Sequence, residues 1–183
     1  MENNEEKLYI VLVRTPGIFA VLIRIFLHFE FIHVVLGLDK SLKHCYSFGR
    51  RDPRYPIISG FERERMDQVQ KKFKKARIAQ YEINCTKEQK KQIIDKLRYY
   101  TMNNLKYKYT ILGIPCAVLG IPYHQKHHYM CSQFVARILE DCGVRKFERH
   151  YTLMTPKDFY LMNNKKTIYI GSLKNFLEKQ NVN

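Results

Sequence analysis

The apolar positions of this chain recur in two periods, and they divide it into alternating strand-like and helix-like segments. LYIVLV (8–13) is a continuous β-branched run ending at the breaker TPG, which predicts a buried strand. From Ile18 to Phe29, the positions Ile18, Val21, Leu22, Ile25 and Phe29 form a helical stripe, with Arg24 and His28 on another side. FIHVVLGL (31–38) reads as a core strand, and the polar DKSLK turn leads into a second strand, HCYSFG. Residues 49–61 mix prolines and glycines with polar residues and read as a loop closing on GFERE. ARIAQYEINC (76–85) places Ala79, Tyr81, Ile83 and Cys85 on one face, the pattern of a half-exposed strand. Thr86 and Gln89 have capping-box spacing and open a helix whose inward face is Ile93, Ile94, Leu97 and Thr101.

The segment around residues 111–122 carries two GIP triplets flanking CAVL and is expected to fill the core. After it, Phe134, Val135, Ile138, Leu139 and Cys142 make one helical face, and Gly143 stands where a C-terminal glycine cap belongs. TPKDFYLM predicts a short proline-started helix and TIYIGSL a last strand. With no linker or break in composition, residues 1–183 are expected to form a single α+β domain.

Composition narrows the class. The chain is 45% hydrophobic and 13% aromatic, which argues against disorder. Its five cysteines (45, 85, 116, 131 and 142) are odd in number and contain no CxxC pair, which favours free thiols in a reducing compartment. The acidic start MENNEEKLYIVLV lacks the basic region and cleavage site of a signal peptide. The apolar stretch Ile18–Leu38 is interrupted by Arg24, His28, Glu30 and His33, so a buried helix and strand are expected rather than a membrane span. The expectation is a soluble cytoplasmic protein.

The net charge of +15 is densest in KKFKKAR (71–77), RRDPR (50–54) and KEQKKQ (87–92). It would attract an anionic surface or polymer, but no zinc finger, RNP signature or phosphate loop accompanies it. No specific nucleic-acid motif is therefore read.

Cys131 carries the sharpest chemical signal, because it opens the Phe134–Cys142 helix and projects from the same face. A thiol there meets unsatisfied backbone N–H groups and the positive end of the helix dipole, an environment that suits a nucleophile. It needs a base, and seven histidines are available. His124, His127 and His128 lie nearby and invite a metal reading with Cys131, but no further ligand completes a tetrahedral set, and no metal or cofactor is expected. His33 stands apart, being an imidazole within an apolar strand. Cysteine on a helix and histidine on a facing strand is the pairing that thiol catalysis uses. A third polar group would orient the imidazole. The partner strand offers Ser47, Tyr46 or His44, with Asp39 in the turn, and without the register alternation does not choose among them.

TPGIFAVLIRIF, FIHVVLGLD, LKHCYSFGR, GFERE and YMCSQFVARILEDCG together resemble the circularly permuted NlpC-type, papain-like hydrolases (YiiX-like proteins) over residues 8–160. In that group the histidine strand precedes the cysteine helix, as here. The resemblance implies a papain-like fold, with an antiparallel sheet or barrel packed against the cysteine helix. It implies Cys131 as nucleophile, His33 as base, and cleavage or transfer at an amide, ester or thioester. Many members carry an acidic or amide third residue on the strand after the histidine. HCYSFG has neither, and Ser47 is taken as the third member. The expected substrate is an acyl compound (peptide, peptidoglycan fragment or lipid). The alternatives are a lipid-directed acyltransferase of the same fold, or a non-catalytic module with a basic surface.

Overall fold

The β-branched run at the N-terminus becomes the middle of an eight-stranded sheet. The computed structural model describes residues 4–16, 25, 28–52, 55–110 and 112–181, the side chains of 50–52 and 55–59 excepted. The strands are β1 (Glu5–Arg14), β2 (His33–Gly37), β3 (Cys45–Asp52), β4 (Tyr55–Glu64), β5 (Arg77–Thr86), β6 (Lys108–Tyr109), β7 (His128–Tyr129) and β8 (Lys166–Ser172). Their order is β7-β6-β4-β3-β2-β1-β5-β8. All neighbours are antiparallel except β6 and β7, which are parallel. The fold is therefore α+β with an open sheet that is antiparallel apart from the β6–β7 pair, where an antiparallel sheet or barrel is expected from the sequence.

Among the described residues the α-helices are α1 (Met66–Lys72), α2 (Lys87–Met102), α3 (Gly113–Val118), α4 (Cys131–Asp141), α5 (Pro156–Leu161) and α6 (Leu173–Asn181). They give the sheet two apolar clusters. Leu8, Ile10 and Leu12 of β1 join Val34, Leu36, Ala79 and Tyr81, and pack with Ile93, Leu97, Phe134, Val135, Ile138 and Phe159. The alternate residues Tyr9, Val11 and Val13 join Val35, Cys45 and Ile78, and pack with Met66, Leu173 and Phe176. Strands covered on both faces read as unbroken apolar runs, which is why LYIVLV shows no alternation.

The same double cover corrects the reading of residues 76–85. Ile78 and Gln80 are buried as fully as Ala79 and Tyr81, because Ile78 belongs to the second cluster and Gln80 donates to the Lys40 carbonyl at 2.9 Å. In α2 the Thr86–Gln89 capping box is present, and Ile93 and Leu97 face inward, but Thr101 is exposed. Helix α6 follows β8 without having been foreseen. The stripe from Ile18 falls largely outside the described residues; of its members, Phe29 packs on the core and Ile25 is 62% exposed. No helix among the described residues is long and apolar enough to cross a membrane.

Two departures matter for the site. Residues 49–52 and 55–61 are strand rather than loop: β3 and β4 pair Cys45 with Glu64, Ser47 with Glu62 and Phe48 with Phe61. Residues 112–122, the described part of the GIP-flanked segment, are not core filling either. In α3 only Gly113 and Ala117 are buried, while Leu112, Val118, Leu119 and Ile121 are exposed.

Candidate functional site

Helix α4 begins at Cys131, as its apolar periodicity and glycine cap predict. Gly143 has φ +65°, and the Gly143→Glu140 and Val144→Leu139 backbone bonds, both 2.9 Å, close its C-terminus. At the other end, the Gln133 side chain accepts a hydrogen bond from the Met130 amide at 3.1 Å and donates to the Thr152 carbonyl at 2.9 Å. Ser132 Oγ donates to the Met154 carbonyl at 2.6 Å. The first turn is thus tied to the 151–154 segment by side chains that are themselves buried. One turn on, Phe134 meets Phe48 (ring centroids 5.0 Å) and Phe61 (5.5 Å), fastening the helix to the β3–β4 hairpin. Such aromatic pairs contribute about 0.5–1.5 kcal/mol each beyond their burial.

His33 is the first residue of β2. Its Nε2 lies 2.5 Å from Glu64 Oε1 and 3.3 Å from Ser47 Oγ, and Ser47 Oγ donates to the same Glu64 oxygen. Register explains the meeting. Cys45 pairs with Glu64 and Ser47 with Glu62, so Ser47 and Glu64 are diagonal neighbours on one face of the hairpin. The ring lies over Gly49, where a Cβ would be in ordinary contact with His33 Cε1 at 3.5 Å and tight only against Glu62 Oε1 at 3.2 Å. The Glu64 side chain is only 9% exposed and that of His33 22%.

The electrostatics follow from this burial. Desolvation disfavours the imidazolium, but the Glu64 charge, the Cys131 charge and hydrogen bonds to both outweigh it, so the His33 pKa is raised well above 6.5. Desolvation likewise opposes ionisation of Glu64, yet the His33 charge and hydrogen bonds from His33 and Ser47 hold its pKa below the ordinary value. The Cys131 thiol thus stands within interaction range of the imidazole. Its residue is 3% exposed and lines a pocket with about 290 Å³ of empty space, bordered also by Ile32, Tyr109, Ile114, Ala117 and Thr155.

Of the four groups considered behind His33, only Ser47 touches it. Asp39 and His44 bond to each other at 3.0 Å, and Asp39 also accepts from Ser41 Oγ and the Lys43 and His44 amides, stapling the β2–β3 turn. Tyr46 stacks on Phe61 on the other face. Glu64 was missed because residues 49–61 read as loop, which hid the hairpin behind GFERE. The signal was the alternation of Phe61 and Arg63 against Glu62 and Glu64, but it needs the β3 register to be used.

The clustered histidines part company. His124 Nδ1 is 3.1 Å from Tyr151 Oη, His128 Nδ1 is 2.8 Å from the Lys126 carbonyl, and His127 packs edge-on to Tyr107. Among the described residues no group of three His, Cys, Asp or Glu is placed to hold a metal ion. No family model matches the chain, nor does any curated protein or solved structure.

Proposed function

We propose that the protein is a cysteine hydrolase in which Cys131 attacks an acyl carbon with His33 as base and Glu64 positioning the imidazole. The observation that carries this reading is the Glu64–His33 contact of 2.5 Å behind an imidazole that also interacts with Cys131. A carboxylate only accepts, so Nε2 bears the proton and Nδ1 is left to receive the proton of the thiol. The carboxylate then stabilises the imidazolium that forms.

The sulfur adds to the carbonyl carbon, and the oxyanion is held by the Cys131 amide, which has no intrahelical acceptor at the first helical position. The Met130 amide is already engaged by Gln133. The imidazolium protonates the leaving amine, alcohol or thiol as its bond to carbon breaks, and a thioester remains. Water, deprotonated by His33, releases the acid and restores the thiol. An amine or alcohol in place of water would make the same acyl-enzyme a transferase; the apolar lining of the pocket favours an acyl substrate for either outcome.

The test is labelling by an electrophilic acyl probe, read by peptide mapping so that the five cysteines are distinguished. Cys131 is expected to label ahead of the others, and His33→Ala to slow it by roughly a hundredfold. Labelling of Cys131 at the same rate with and without His33 sinks the proposal. A non-catalytic module would show that result together with salt-sensitive retention on an anionic matrix.

A further inference from the structure

Between Lys108 and Lys126 the chain contains no Asp, Glu, Lys or Arg, although 27% of its residues are charged. Helix α3 lies in this stretch and has two apolar faces. Gly113 and Ala117 face inward, and Gly113 sits so close to Met130 that an added Cβ would be 3.0 Å from its sulfur. Ile114 and Ala117 border the pocket that also contains Cys131. On the outer side Leu112 is 61% exposed and Leu119 72%, one stripe at i and i+7, with Val118 and Ile121 exposed beside them.

Backbone hydrogen bonds close the C-terminal end of this helix. Gly120 (φ +71°) caps the helix, with Gly120→Ala117 and Ile121→Cys116 backbone bonds of 3.3 and 2.8 Å. The two ends of the stretch are held side by side, because β6 pairs with β7 and the Lys108 amide donates to the His127 carbonyl. Lys106, Lys108 and Lys126 therefore surround the base of an apolar projection.

We infer that this face docks on an anionic phospholipid bilayer, with Leu112, Val118, Leu119 and Ile121 in the headgroup–acyl boundary and the lysines among the headgroups. Exposed aliphatic side chains with a basic collar are the composition of an interfacial anchor. A second copy of the chain fits poorly, since the collars would oppose each other on molecules of net charge +15. Single-stranded nucleic acid fits poorly too, because the four side chains offer no ring for stacking. Docking would bring the Cys131 pocket next to the bilayer, but the surface stands independently of any chemistry at Cys131.

The test is co-sedimentation of the full chain with vesicles of equimolar phosphatidylcholine and phosphatidylglycerol. Wild type should bind these vesicles and lose binding on pure phosphatidylcholine. The double variant Leu112→Glu/Leu119→Glu should partition at least about tenfold less. Ile170→Glu, an exposed position on β8 at the opposite edge of the sheet, should bind as wild type. Circular dichroism establishes that the variants are folded. Equal binding of the double variant and wild type would mean adsorption by overall charge and overturn the inference, as would no binding by either. A wild-type dimer in sedimentation velocity that the double variant dissolves would reassign the face to self-association.

Discussion

Glu64 and His33 lie 31 residues apart in the chain, yet their side chains meet at 2.5 Å with Ser47 bonded to both. Neither member stands at an ordinary acidity: His33 is shifted up and Glu64 down. Opposed shifts in a partly buried pair beside a thiol are an arrangement suited to nucleophilic catalysis.

Removing the Glu64 charge should lower the pKa of the imidazolium measurably. In Glu64→Gln the His33 ring loses an interaction that raises its pKa, so its NMR titration should move toward acid. The alkaline limb of Cys131 labelling should move the same way, with the rate down by roughly a hundredfold. Glu64→Asp should recover part of both. An unchanged titration would show that Glu64 does not hold the proton on His33.

Ser47 contributes by supporting the carboxylate. Ser47→Ala removes a buried donor to Glu64, which should cost about 1–2 kcal/mol in urea unfolding and raise the Glu64 pKa. Labelling of Cys131 should fall less than tenfold, well short of the Glu64 variants. A loss equal to that of Glu64→Gln would instead make Ser47 the principal partner of His33.

The pair also predicts a pH window in stability. The raised pKa of His33 contributes stability that is complete below 6.5 and is lost as pH rises through the folded value. The lowered pKa of Glu64 contributes stability present above 4.5 and lost as pH falls through the folded value. The difference in unfolding free energy between wild type and Glu64→Gln should therefore be greatest between pH 4.5 and 6.5. Denaturant titrations across that range check it, and a difference independent of pH would count against the ion pair.

Gln133 secures the start of α4. Gln133→Leu leaves the Met130 amide and the Thr152 carbonyl without their side-chain partner, and should destabilise the protein by about 2–4 kcal/mol. Because the amide released is next to Cys131, probe reactivity should change as well, even in molecules that remain folded. Thermal melting and labelling of the same samples separate the two effects.

What the sequence alone determined was local. The start of α4 at Cys131 and its end at Gly143, the Thr86–Gln89 cap, the proline-led α5 and the core character of LYIVLV all depend on neighbours within a few turns, where side-chain period and caps act. His33 could be singled out because an imidazole in an apolar strand needs a partner. The identity of that partner required the tertiary structure. Proline and glycine in residues 49–61 suggested a loop, but the hairpin places Glu64 opposite Cys45, and a slip of one residue would have turned it to the other face. The apolar run around α3 had the same limit: hydrophobicity predicts burial only when something lies above the surface, and here the outer face of the helix has no covering element among the described residues.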